Sequence, residues 1–194
     1  MDAAFPLLAA DVVRELSSDR ETSTVGRDQG GLWEEFLRVA RGDPSSTWRD
    51  GPADHFTASM FVFDAALERV CLVLHKKVGR WLQPGGHLEA GDATVGSAAA
   101  REAQEETGLL GLALLPGVVH LSHHALNSNF GSCRSHLDVR FAAVAAQDTV
   151  PVCSAESQDV QWWPVDALPP DTDDELRTVI PRIRDQLLEA HPLH

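Results

Sequence analysis

The stretch Arg101-Glu102-Ala103-Gln104-Glu105-Glu106-Thr107-Gly108 constrains the chain more than any other. Residues three and four apart are neighbours on a helix surface, so Glu102, Glu105 and Glu106 project from one face. Like charges at these spacings destabilise a helix by roughly 0.2–0.5 kcal/mol per pair. Glu105 and Glu106 also fall in the last turn, where the helix dipole disfavours anions by ~0.3–1 kcal/mol. Any fold that keeps this face therefore has to offset roughly 1–2 kcal/mol, a noticeable share of a marginal stability. A hard divalent cation with oxygen ligands would do so, and Mg²⁺ typically uses a few carboxylates together with substrate phosphates. Taken alone, the three glutamates also fit a solvated acidic face with Arg101 as the i, i+4 counterion of Glu105. What shifts the balance is Gly85-Gly86-His87-Leu88-Glu89-Ala90-Gly91-Asp92 just upstream. It reads as a glycine-rich loop feeding the helix start, where backbone groups approach a ligand closely.

The rest of the chain frames this helix. In the first fifty residues Val12, Val13 and Leu16 suggest one helix, and Trp33, Phe36, Leu37 and Ala40 a second at i, i+3, i+4, i+7, stopped by Gly42, Asp43 and Pro44. Residues 17–31 between them read as a polar loop. From His55 the texture becomes short runs rich in Val, Phe, Leu and Thr, predicting strands over 56–63, 70–74, 118–124, 136–145 and 160–163. The central helix spans about 94–107 and closes at Gly108, where a left-handed cap is favoured. Leu176, Ile180, Ile183 and Leu187 stripe a final helix, with Pro181 as a kink or restart. The order predicts a mixed α/β sandwich: a helical extension over residues 1–50 packed on a core domain over residues 51–194.

Composition excludes several classes of function. Sixteen Lys and Arg against twenty-nine Asp and Glu leave a net charge of −13, with Lys76 and Lys77 as the only lysines. Extended nucleic-acid binding, which draws on clustered basic residues, is not expected. No window approaches the roughly 18–20 apolar residues of a bilayer-spanning helix, and the N-terminus lacks a positive leader. Cys71, Cys133 and Cys153 are odd in number, far apart and without CxxC spacing, which suggests neither a disulfide framework nor a cysteine zinc site. The expectation is a cytoplasmic protein that meets no membrane.

Gly86, Asp92, Arg101, Glu102, Glu105, Glu106, Gly108 and Leu109 together resemble the signature of the Nudix hydrolase family. That pattern runs Gly, five residues, Glu, seven residues, then Arg-Glu-hydrophobic-any-Glu-Glu-any-Gly-hydrophobic. The chain departs from it twice: Asp92 stands where Glu is usual, and eight residues rather than seven separate it from Arg101. The resemblance covers about residues 55–168. It implies the Nudix fold, an α/β/α sandwich around a mixed sheet, and Mg²⁺-dependent hydrolysis, with Mn²⁺ as a substitute, of a small nucleoside diphosphate derivative. Glu102, Glu105 and Glu106 would be metal ligands, joined by the carbonyl of Gly85, while Arg101 would orient the glutamates. Glu102 is one candidate base and Glu156 another, since some members of the family use a loop acid there.

Other constellations are weaker. Arg80, Trp81, His123 and His136 are candidate substrate contacts, and Asp138 is a further acidic one. His120, His123, His124 and His136 raise a zinc site, though their spacing matches no standard signature. The N-terminal helices read as a lid or as the interface of a homodimer. Two rival functions share the fold: a non-catalytic ligand sensor, which is expected to lose some of the metal acids, and a diphosphate isomerase. The isomerase needs a catalytic Cys, whereas Cys71 in a central strand is more naturally a small buried hydrophobe.

Overall fold

The computed structural model describes residues 4–19, 28–126, 133–155 and 157–190. Strands β1 (Asp54–Phe63), β2 (Arg69–His75), β3 (Trp81–Leu82), β4 (Gly85–His87), β5 (Ala113–Leu114), β6 (His120–Ala125), β7 (Ser135–Val144) and β8 (Ser157–Pro164) belong to one sheet. Its order is β3-β2-β1-β7-β5, with β4 also pairing with β1, β6 with β7 and β8 with β2. By contacts the chain divides into two compact units. One holds Met1–Ser59, Gly85–Arg101 and Pro116–Phe141; the other holds Met60–Pro84, Glu102–Leu115 and Ala142–His194.

The first unit contains helices α1 (Ala4–Asp19) and α2 (Gly30–Gly42), joined to β1 through a 3₁₀ turn at Pro44–Thr47. The stripe expected on α2 is buried, at Trp33, Phe36, Leu37 and Ala40. Trp33 Nε1 donates to the carbonyl of Leu16 at 2.7 Å, tying α2 to α1. Phe36 meets Phe56 of β1 edge-on, with ring centroids 5.6 Å apart. Such aromatic pairs add to plain area burial. The predicted stop is real, since the Asp43 carboxylate accepts from Ser45 N and caps the 3₁₀ turn. Of the loop expected over 17–31, residues 20–27 lie outside the described residues, while α1 runs to Asp19 and α2 begins at Gly30.

Gln29 fills a backbone role: its amide donates to the carbonyl of Leu121 at 2.7 Å and accepts from Leu121 N at 2.9 Å. β1 is buried along nearly its whole length, as a strand covered on both faces must be. A buried ion pair spans alternate residues of β7, Arg140 Nε to Asp138 at 2.8 Å. Thr57 and Ser59 of β1 add hydroxyl donors to the same carboxylate. Burial alone would raise the Asp138 pKa, but the charge and hydrogen bond of Arg140 outweigh it and hold the group below its ordinary value. Asp138 is therefore a satisfied internal carboxylate.

In the second unit the turn between β1 and β2 is organised by Asp64, whose Oδ1 accepts from the backbone N–H groups of Glu68 and Arg69. β2 pairs antiparallel with β8 over Arg69–His75. The last helix, α4 (Asp174–Ala190), buries Leu176, Ile180, Ile183 and Leu187 as expected and continues through Pro181 rather than restarting there. Among the described residues no helix is long and apolar enough to cross a membrane.

Candidate functional site

The acidic helix, α3, spans Val95–Thr107. Its start is fixed by a reciprocal pair: Ser97 N donates to Thr94 Oγ1 at 2.9 Å, and Thr94 N donates to Ser97 Oγ at 2.8 Å. This is the logic of a capping box, with serine in the usual place of glutamate. Val95 N donates to the buried Asp11 carboxylate of α1 at 2.7 Å. An acid there satisfies a donor the helix leaves unpaired and complements the dipole. At the other end Gly108 takes the expected left-handed conformation, φ 67°, and its N–H returns to Gln104 O. Val152 N donates to Thr107 O, so the last carbonyl is also engaged.

On this frame Glu106 is buried, Glu102 is half-buried and Glu105 is exposed. The three carboxylates thus grade from interior to solvent along one face. The charge of Glu106 reaches Cys71, whose thiol is pushed up to about 12, mainly by burial and secondarily by that glutamate.

Upstream, Asp92 has a definite partner. Its Oδ1 accepts from Arg101 Nε at 2.9 Å and its Oδ2 from an Arg101 Nη at 3.1 Å, and Oδ2 also accepts from Glu89 N at 2.7 Å. The same Nη donates to the carbonyl of His87 at 2.9 Å. The fork geometry of arginine suits such a bidentate grip. Although Asp92 is one methylene shorter than the usual glutamate and one residue further back, it still reaches Arg101. The glycine loop is equally constrained, because Gly85 pairs with Ser59 and a Cβ there would stand 2.3 Å from Ser59 Cβ. Only glycine lets β4 lie this close to β1.

The other expected contacts are scattered. Arg80 is exposed and faces Asp173 at 3.4 Å. Trp81 is buried, 8% exposed, and meets Trp163 edge-on at 5.2 Å. His123 bonds to Ser135 Oγ and lies 3.2 Å from Glu35. Glu156 lies outside the described residues.

The NUDIX domain pattern matches residues 53–183, more than half of the chain. The chain belongs to the Nudix family. Membership places it among hydrolases acting on pyrophosphate bonds. A Nudix hydrolase from Clostridium perfringens superposes with a TM-score of 0.58 at 24% identity, covering 69% of this chain and 97% of that one. E. coli dihydroneopterin triphosphate pyrophosphohydrolase gives 0.56 at 17%, covering 68% and 95%. A UDP-X diphosphatase gives 0.52 at 18%, covering 94% of this chain and 96% of that one, a span that takes in N-terminal helix as well. These likenesses are of fold, and no curated protein matches the chain.

Within this Nudix fold the histidines divide. His120 Nδ1 faces an Arg140 nitrogen at 3.3 Å. His136 instead joins His55, His87 and Cys133, whose ligand atoms all lie within 4.8 Å of one another. Burial, then the neighbouring His87, His124 and His55, drive the His136 pKa down to about 3, so its ring is neutral at ordinary pH. Of His120, His123, His124 and His136, only His136 belongs to this cluster. The signal missed was the spacing Cys133-Arg134-Ser135-His136, whose companions in the cluster, His55 and His87, are dispersed over β1 and β4. The isomerase reading loses its nucleophile at Cys71, because a fully buried thiol at about 12 supplies almost no thiolate.

Proposed function

We propose that this Nudix protein is a Mg²⁺-dependent hydrolase that cleaves the diphosphate bond of a nucleoside diphosphate derivative or a related small diphosphate. The observation that carries this reading is the set of carboxylates at Glu102, Glu105 and Glu106, graded from buried to exposed on a helix capped at both ends. An all-oxygen donor set suits a hard cation, and a charge opposite Glu105 and Glu106 offsets the repulsion and dipole cost that this helix carries. When bound, Mg²⁺ screens the charge of the diphosphate and acidifies water.

The chain's own residues supply placement. Arg101, gripped by Asp92 and by the His87 carbonyl, fixes the helix relative to the loop it follows. Glu105 offers the most accessible carboxylate. Glu102, one turn back and half-buried, is a proton acceptor whose position is set by the helix, and Glu156 is the rival base. Arg80 and His123 supply cationic or donor groups near solvent.

The test combines a substrate panel with one substitution. Nucleotide sugars, dinucleoside polyphosphates, nucleoside triphosphates and prenyl diphosphates are incubated with Mg²⁺ and the products read by mass. Glu105→Gln should abolish turnover of the active class while circular dichroism stays unchanged; full activity in that variant would overturn the metal assignment.

A further inference from the structure

We propose that His55, His87, Cys133 and His136 form a tetrahedral zinc site, separate in ligands and in chemistry from the glutamates of α3. Three neighbouring strands converge there. β4 pairs with β1, whose sheet neighbour on the path is β7, and each of the three contributes one histidine. Cys133 comes just before β7, where Arg134 N bonds to Ala53 O at 2.8 Å and holds that segment beside the start of β1. The ring centroids of His55, His87 and His136 stand 5.1 to 5.2 Å apart.

The donor atoms have the order a metal requires. His55 is fully buried, and its Nδ1 lies 2.9 Å from the Pro52 carbonyl. A carbonyl only accepts, so Nδ1 carries the proton and Nε2 presents its lone pair. That is the outer hydrogen bond that typically fixes the tautomer of a metal-bound histidine. The His55 Nε2 then lies 3.1 Å from His87 Nε2. With Zn–N bonds of about 2.0–2.1 Å, two ligands of a tetrahedron are separated by roughly 3.3 Å, so this spacing is close to a ligand edge. Nε2 of His136 is buried without a hydrogen-bond partner. Leaving such an atom unsatisfied is unfavourable, and coordination to a metal satisfies it. Imidazoles with one thiolate are borderline-soft donors, which select zinc over Mg²⁺. With four protein ligands the site is closed, so its role is structural. It would anchor His87 by its side chain while Arg101 holds the same residue by its carbonyl.

The experiment uses the full chain, stripped of metal by a chelator and then dialysed. Co²⁺ is added as a spectroscopic probe, then Zn²⁺ as competitor. The expected result is one equivalent of Co²⁺ giving intense visible d–d bands and a thiolate-to-cobalt charge-transfer band, both removed by Zn²⁺ and absent in Cys133→Ser. Because that variant could fail by misfolding, alkylation by iodoacetamide is followed on the unaltered protein by peptide mass. Zn²⁺ should slow modification of Cys133 by about tenfold or more and leave the exposed Cys153 unchanged. Binding at the glutamates alone would give neither a thiolate band nor protection of Cys133. That result, or equal alkylation with and without Zn²⁺, overturns the proposal.

Discussion

Asp92 shows how a single residue absorbs an irregular spacing. One of its oxygens bonds Arg101 Nε and the other bonds both an Arg101 Nη and a backbone N–H, with the side chain only 5% exposed. Arg101 is 22% exposed, so solvent screens part of its charge. Asp92→Asn keeps the shape but replaces an acceptor by a donor facing the guanidinium. It should lower unfolding stability by about 1–3 kcal/mol, read as a shift of the urea midpoint at constant slope; an unchanged midpoint would mean the pair is incidental. At this scale the acidic helix was legible from sequence because its chemistry is local: Arg101 through Gly108 carry their meaning within two turns. The His55, His87, Cys133 and His136 cluster was not. His55 and His87 are 32 residues apart, and only strand pairing brings them together, so no periodicity in the chain announces them.

Helix α3 is held from outside itself. Its first N–H is satisfied by Asp11, a residue of α1 that is 2% exposed. Asp11→Ala removes that acceptor and should cost about 0.5–2 kcal/mol, the range for loss of a helix cap, seen as a lower thermal midpoint. Leu7→Ala, at a position of α1 that is 71% exposed, is the control and should have little effect. Element types were largely readable and their ends less so. The strand expected over 136–145 runs over Ser135–Val144, and the one expected over 160–163 extends to Ser157–Pro164. The added Ser157 and Asp159 are polar and carry no hydrophobic signal, but they pair with His75 and Leu74 of β2, and Pro164 at the other end pairs with Arg69. A proline ring removes an N–H and clashes with the preceding turn, so Pro181 predicts a kink or restart. α4 nevertheless continues through it, with Ile180 and Ile183 buried on either side. Burial of the apolar stripe outweighs the local penalty.

For the molecule as a whole, −13 sets the conditions under which an anion approaches. Without a divalent cation the field of the acidic groups opposes a diphosphate, and that opposition is screened as the Debye length falls from about 30 Å at 0.01 M salt to about 8 Å at 0.15 M. Binding of a nucleoside diphosphate in EDTA, measured by equilibrium dialysis, should therefore strengthen over that range of salt. Saturating Mg²⁺ should remove the trend. Weakening with salt in EDTA would instead show a basic phosphate site and contradict the role given to the glutamates.

The Gln29 amide has a bearing on how the chain treats copies of itself. Among the described residues β6 pairs with β7 and with no other strand, and an outer strand edge of that kind can recruit a foreign strand. At Leu121 both the N–H and the C=O on that strand are already taken by one glutamine side chain. A two-atom fork thus stands in for a missing neighbour and ends the sheet at that point. Strand addition at Leu121 is thereby blocked by a single side chain.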